Sequence, residues 1–60
     1  MALPKDPFIL LSMVNTKLRD FYPNLDTLCD REDAGEQELK DSLNKVGYHY
    51  DEKVNQFVRG

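Results

Sequence analysis

The 60-residue chain has few of the residues with which small domains cross-link themselves. It contains one cysteine, Cys29, and one histidine, His49. A single cysteine excludes a disulfide within the chain, is typical of a reducing compartment, and leaves too few ligands for a structural zinc site. Because a domain of this length buries only about 60% of the surface that its unfolded chain exposes, we expect close packing or oligomerisation to supply the missing stability.

Long hydrophobic runs are also missing. The longest apolar run, Phe8-Ile9-Leu10-Leu11, is far shorter than the roughly 20 residues that a membrane-spanning helix requires. Neither the residues before this run nor those after it are typical of a signal peptide. The apolar fraction of 40% is sufficient for a small core, so we expect one cytoplasmic domain over residues 1–60 with no membrane partner.

The strongest helix signal lies near the N-terminus. Asp6 suits an N-cap, Pro7 suits the first helical position, and Pro23 predicts that the helix has ended before it. Helical spacing places seven apolar residues on one broad arc that we expect to face the core. They are Phe8, Leu10, Leu11, Val14, Leu18, Phe21 and Tyr22.

Two shorter helices are predicted to follow. Asn24 suits the N-cap of the second helix, and the third spans about Glu36 to Lys45. Gly47 can end the third helix in a left-handed conformation. The apolar residues that we expect to face inward from these two helices are Leu25, Leu28, Cys29, Leu39, Leu43 and Val46.

The C-terminal segment changes its period. Tyr48, His49 and Tyr50 alternate, residues 51–55 have turn chemistry, and residues 56–58 form a second short strand. We expect a β-hairpin whose aromatic side chains pack on the helices, because an isolated hairpin is marginal in water. The predicted fold class is therefore mainly α: a small three-helix domain, helix-turn-helix-like, with a short C-terminal β-hairpin.

No arrangement of residues in the sequence is typical of catalysis or metal binding. Cys29 and His49 are the only candidates for a nucleophile and a base, and we expect Cys29 to pack in the core and His49 to be solvated. A calcium loop written from Asp30 to Asp41 has Ala34 where a side-chain oxygen is needed, and it ends on Asp instead of Glu. We therefore predict no enzyme activity, no catalytic residue, no metal site and no cofactor.

Charge argues against a nucleic-acid function that the order of the elements suggests. Two short helices followed by a hairpin resemble small winged DNA-binding modules, but the third helix would carry its acidic residues into the DNA groove first. The net charge is −3, and residues 26–41 hold seven acids and two bases. Because such a segment repels phosphate, nucleic-acid binding is the alternative function and is disfavoured by charge.

A candidate interaction surface lies on the first helix. Ile9 and Met13 fall outside the apolar arc, and either a later segment covers them or they form an exposed patch for a partner or a second copy of the chain. Asn15, Thr16 and Arg19 belong to a polar strip, which is either a solvated face that also caps backbone groups or a recognition surface continuous with the patch. These five residues are the predicted interaction surface.

Five stretches of the chain together resemble a known bacterial family. They are residues 3–12 (LPKDPFILLS), 14–20 (VNTKLRD), 25–29 (LDTLC), 47–52 (GYHYDE) and 55–57 (NQF). Over nearly its whole length the chain resembles the short proteins grouped as domain of unknown function family 4250. The resemblance implies a free-standing, bacterial, cytoplasmic protein and no assigned activity or site. The leading hypothesis is thus a non-enzymatic module that binds another protein or itself.

Overall fold

Three helices and a two-stranded antiparallel sheet make up the fold, which confirms the predicted fold class. A computed structural model describes residues 3–60. In chain order the elements are α1 (Pro7–Asp20), α2 (Leu25–Arg31), α3 (Glu36–Asn44), β1 (Tyr48–Asp51) and β2 (Gln56–Arg59). A short turn joins α2 to α3, so the chain has the helix–turn–helix order that its sequence predicts.

Side-chain caps determine where the first two helices begin. The Asp6 carboxylate accepts hydrogen bonds from the backbone N–H groups of Phe8, at 2.8 Å, and of Ile9, at 3.4 Å. The Asn24 side chain accepts a hydrogen bond from the Thr27 N–H at 2.8 Å. Both predicted caps are confirmed, and they satisfy backbone donors that the start of a helix leaves unpaired.

The helices end close to the predicted positions. α1 ends at Asp20, ahead of Pro23, and α3 ends at Asn44, just before the predicted Lys45. Gly47 has a φ of +85°, which is the predicted left-handed conformation and one that a residue with a Cβ adopts only with strain. This residue turns the chain from α3 into β1.

One core lies between the three helices and the inner face of the hairpin. Tyr48 and Tyr50 are half-buried against it, and Val46 is also only half-buried. Cys29 packs in the core as predicted, and its desolvation raises the pKa of its thiol, which disfavours the reactive thiolate. Among residues 3–60 the buried side chains are Leu10, Val14, Leu18, Leu25, Leu28, Cys29, Leu39, Leu43 and Phe57.

The prediction is wrong for two residues of the apolar arc of α1. Phe8 is 59% exposed and Phe21 is 72% exposed. Phe8 lies about 120° around the helix from the buried Val14, at the edge of the buried face. Phe21 follows the last helical residue and has a φ of −124° and a ψ of −34°, so helical spacing no longer sets the direction of its side chain.

The hairpin pairs β1 with β2 in the predicted antiparallel arrangement. Tyr50 lies opposite Phe57, and the centroids of their rings are 5.6 Å apart, a spacing typical of favourable aromatic pairs. Asn55 closes the turn with a φ of +53°, which asparagine tolerates better than most residues. β1 packs against α3 and β2 packs against α1, so the hairpin covers the open side of the helices.

The side chain of Asn15 joins α1 to β2. Its amide nitrogen donates a hydrogen bond to the Phe57 carbonyl at 3.1 Å, and its amide oxygen accepts one from the Phe57 N–H at 2.7 Å. Asn15 therefore pairs with the outer edge of β2 as a neighbouring strand would, and it satisfies two backbone groups that an edge strand otherwise leaves open.

Two neighbours of Phe57 extend this contact. The side-chain amide of Asn55 donates to the carbonyls of Leu18 and Tyr22, both at 3.0 Å. The side-chain amide of Gln56 donates to the Asn15 carbonyl at 3.0 Å. Three carbonyls in the C-terminal half of α1 and just beyond it thus accept hydrogen bonds from the hairpin, which fixes the orientation of the helix against the sheet.

We expect Asn15→Ala to lower the free energy of unfolding by about 1–3 kcal/mol, because the substitution leaves the N–H and C=O of Phe57 without their partner. Chemical denaturation followed by circular dichroism measures the change. Asn44→Ala, at the exposed end of α3, is the matched control and is expected to change this free energy by less than about 0.5 kcal/mol. Equally small changes in the two variants would contradict the role assigned to Asn15.

Candidate functional site: an apolar groove along the first helix

A shallow groove runs along the outer side of α1 to the edge of the core, where Met13 is half-buried against it, and it is called the α1 groove below. It is open to solvent and has a volume of about 610 Å³. The residues that line it recur every three or four positions, so they share one face of the helix. They are Phe8, Ile9, Ser12, Met13, Thr16, Lys17 and Phe21.

Large apolar side chains stand at both ends of the α1 groove. Phe8 and Ile9 at one end are each 59% exposed, and Phe21 at the other end is 72% exposed. The smaller side chains of Ser12 and Thr16 lie between them. Aromatic and branched side chains that are exposed together on one face form the kind of hydrophobic patch that marks a protein-binding surface.

The charge at the rim of the α1 groove is compensated within the chain. The Lys17 ammonium lies 3.1 Å from a carboxylate oxygen of Glu32, at the end of α2. The Tyr22 hydroxyl donates a hydrogen bond to the same carboxylate. The hydroxyl of Tyr22 and then the ammonium of Lys17 hold the pKa of Glu32 below its ordinary value, while the carboxylate raises the pKa of Tyr22.

Three of the five residues predicted for an interaction surface lie together in the α1 groove, namely Ile9, Met13 and Thr16. Asn15 lies apart from them, because its side chain is engaged with β2. Of the two roles considered for the polar strip, Asn15 therefore has the one in which the side chain satisfies backbone groups. Arg19 is exposed beside the lining and forms an ion pair of 2.9 Å with Asp20.

Four of the lining residues are not among the predicted interaction residues, although the sequence contains a signal for two of them. On an ideal helix Ser12 lies about 160° and Phe8 about 120° from Val14, so the helical angle indicates that Ser12 faces outward with Ile9 and that Phe8 lies at the edge of the buried face. The side chain of Phe21 gives no such signal, because its direction depends on the backbone after the helix has ended. Lys17 joins the rim through its contact with a residue of another helix.

A second, polar concavity of about 380 Å³ lies where α2, α3 and β1 meet. The carboxyl groups of Asp26 and Glu36 interact there, which raises the pKa of Asp26 and lowers that of Glu36. Lys40 pairs with Glu36 at 3.1 Å. These contacts join α2 to α3, and within residues 3–60 no three His, Cys, Asp or Glu side chains are placed to hold a metal ion.

The two residues considered for catalysis differ in their surroundings. Cys29 is buried in the core on α2, where its thiol contributes to packing. His49 is exposed on β1, between two half-buried tyrosines, as alternation along a strand predicts. Neither environment supplies the pair of a thiolate and a hydrogen-bonded base that nucleophilic catalysis uses.

The first turn of α3 is acidic. Glu36 and Glu38 occupy the first turn of α3, the end of a recognition helix that reaches the bases in helix-turn-helix proteins. Several basic side chains of the described residues are already paired with acids. The pairs are Lys17 with Glu32, Arg19 with Asp20, and Lys40 with Glu36.

The chain belongs to a family that its sequence identifies. Residues 4–57 match the model of the family described as Domain of unknown function (DUF4250), which confirms the resemblance drawn from the sequence. No curated protein and no solved structure matches the chain. In the part of the chain that the structure describes, no helix has the length and apolar character needed to cross a membrane.

We expect acid to weaken the contact of Glu32 with α1. Because the folded-state pKa of Glu32 lies below its ordinary value, its carboxylate stabilises the fold above the unfolded-state pKa, and this contribution is lost as the pH falls through the folded-state pKa. Glu32→Gln should therefore destabilise the protein near neutral pH and should reduce the loss of stability below about pH 4.5.

Urea denaturation of the unmodified protein and of Glu32→Gln, from acidic to neutral pH, measures this change in stability. Glu52→Gln, at an exposed position in the hairpin turn, controls for the removal of one carboxylate. If the stability of Glu32→Gln has the same pH dependence as that of the unmodified protein, the contact of Glu32 with α1 does not stabilise the fold.

Proposed function

We propose that this member of the family is a non-enzymatic protein-interaction module and that the α1 groove is its binding surface. The observation that carries the proposal is the joint exposure of Phe8, Ile9 and Phe21 on one side of a helix. These side chains contribute little to the fold, whereas a partner that covers them gains the free energy of burying apolar surface. A single cysteine, which is typical of reducing compartments, favours a cytoplasmic setting for the interaction.

The shape of the α1 groove favours an apolar helical segment as its partner. α1 has 14 residues and is therefore about 21 Å long, enough for three to four turns of a second helix to lie along it. Large side chains at the ends of the groove and small ones between them supply the anchors and the space that helix-in-groove recognition uses. Because Lys17 is paired with Glu32, a strongly acidic partner is not required.

Nucleic-acid binding is the alternative, and the order of α2, turn, α3 and hairpin is the observation that favours it. The acidic first turn of α3 opposes it, since phosphate contacts supply most of the affinity for nucleic acid. The experiment below separates the two functions.

We expect the tagged chain to capture a protein partner from its own cells through the α1 groove. Ile9→Lys should abolish that capture, because it places a charge on the apolar surface that the partner must cover. Val54→Lys is the matched control: Val54 is 57% exposed, close to the 59% of Ile9, but it lies in the hairpin turn and does not line the groove. Native pull-downs quantified by mass spectrometry compare the variants.

Each pull-down is divided into a nuclease-treated and an untreated half. A partner that survives nuclease, is lost with Ile9→Lys and is kept with Val54→Lys supports the proposal. Capture that disappears with nuclease supports the nucleic-acid alternative. Capture that is unchanged by Ile9→Lys places the binding surface elsewhere, provided that circular dichroism shows both variants to be folded.

A further inference from the structure

We infer that the α1 groove binds a second copy of this chain, with the two α1 helices packed side by side in antiparallel directions. The inference rests on the proposed function, because it uses the same surface and names its occupant. Three properties of α1 support it: the order of its large and small side chains, the compensation of its charge, and the area that it exposes.

The large side chains at the two ends of the groove are evenly spaced along the chain. Phe8 and Phe21 lie equally far from the point between Val14 and Asn15. A twofold axis that passes beside this point turns α1 end for end, and a closed pair of identical chains requires such a self-complementary surface. In an antiparallel pair the Phe8 of each copy therefore lies beside the Phe21 of the other copy.

The middle of the groove distinguishes the antiparallel arrangement from the parallel one. Met13 and Thr16 are also equidistant from the twofold axis, so an antiparallel copy places the long side chain of Met13 over the small Thr16. A parallel copy would place each residue opposite itself, so Met13 would meet Met13 at one level and Thr16 would meet Thr16 at the next. Close packing of large against small side chains favours the antiparallel pair.

Electrostatics permit the two copies to approach. Among the described residues that line the groove, Lys17 is charged, and it is paired with Glu32. The same axis sets Ile9 of one copy opposite Asp20 of the other, and the Asp20 carboxylate is already paired with Arg19 at 2.9 Å. The charges at the interface are therefore compensated within each copy. Antiparallel helices also place the N-terminus of each near the C-terminus of the other, which is the favourable arrangement of their dipoles. Most acidic residues of the chain lie between residues 26 and 41 and therefore outside α1.

The exposed area is sufficient for a weak, reversible dimer. A phenylalanine side chain contributes roughly 200 Å² when it is fully buried, so the 59% and 72% exposed side chains of Phe8 and Phe21 supply about 260 Å² per copy. Ile9, which is 59% exposed, and the exposed Ser12 and Thr16 add to this area, so two copies bury at most about 1,000 Å² in total, which is the size of the smallest specific interfaces. Because interfaces of this size belong to weak and transient complexes, we expect a dimer that dissociates on dilution.

Analytical ultracentrifugation over a wide concentration range tests the inference. We expect the average mass to rise from the 7.0 kDa of one chain towards twice that value as the concentration increases. Phe21→Lys should raise the dissociation constant at least about tenfold, and Val54→Lys should leave it unchanged. A mass that stays at that of one chain at all concentrations, or a dimer insensitive to Phe21→Lys, would overturn the inference.

A mixing experiment tests the antiparallel arrangement. Phe8→Lys and Phe21→Asp should each weaken self-association when measured alone. A mixture of the two variants should associate more tightly than either, because an antiparallel pair sets the introduced lysine against the introduced aspartate at one end and retains a pair of phenylalanines at the other. Failure of the mixture to recover association, when each variant is folded by circular dichroism, would overturn the arrangement.

The two proposals fail in different ways. If the chain stays monomeric while Ile9→Lys still abolishes capture of a different protein, the second-copy inference is wrong and the interaction function stands. If the chain stays monomeric and no capture depends on position 9, both are wrong.

Discussion

The amide of Asn15 takes the place of a third strand beside β2, and the arrangement of the other elements depends on this contact. A two-stranded hairpin is marginal in water by itself. In this protein the hairpin contributes Phe57 to the core and packs two half-buried tyrosines against the edge of the core. The paired hydrogen bonds between Asn15 and Phe57 also fix the rotation of α1 about its own axis. In this rotation Leu10, Val14 and Leu18 face the core, and the opposite side of the helix faces solvent. The position of the α1 groove therefore depends on the contact between Asn15 and Phe57.

The predictable parts of this fold are those that local chemistry determines. The caps at Asp6 and Asn24 and the left-handed Gly47 each act within three or four residues of their own position, so a short window of sequence contains both partners. Asn15 cannot be read in this way, because its partner Phe57 is 42 positions away in the chain. An asparagine on a helix surface has the same appearance in sequence whether it contacts water, a neighbouring strand or another protein.

The candidate site was predictable only in part, for a related reason. Ile9 and Met13 stand out because they break the apolar arc, and they do line the groove. Helical spacing predicts that Phe21 faces the core, but the backbone leaves the helix at that residue and its ring is exposed. An isolated exposed residue such as Val54 is ordinary on a protein surface. Several exposed apolar residues on one side of a single helix form a hydrophobic patch of the kind that marks a binding surface.

Assembly and folding are coupled in such a molecule, because the same helix serves the core on one side and the groove on the other. A partner that binds only the folded chain stabilises it by an amount that grows with the ratio of partner concentration to dissociation constant. The chain has a small core and a single cysteine, so even a modest contribution of this kind is large beside the total stability of a domain of its size. The Lys17–Glu32 ion pair lies at the rim of the groove and joins α1 to the end of α2. An occupant of the groove therefore also shields a contact between two helices, which links binding directly to the packing of the core.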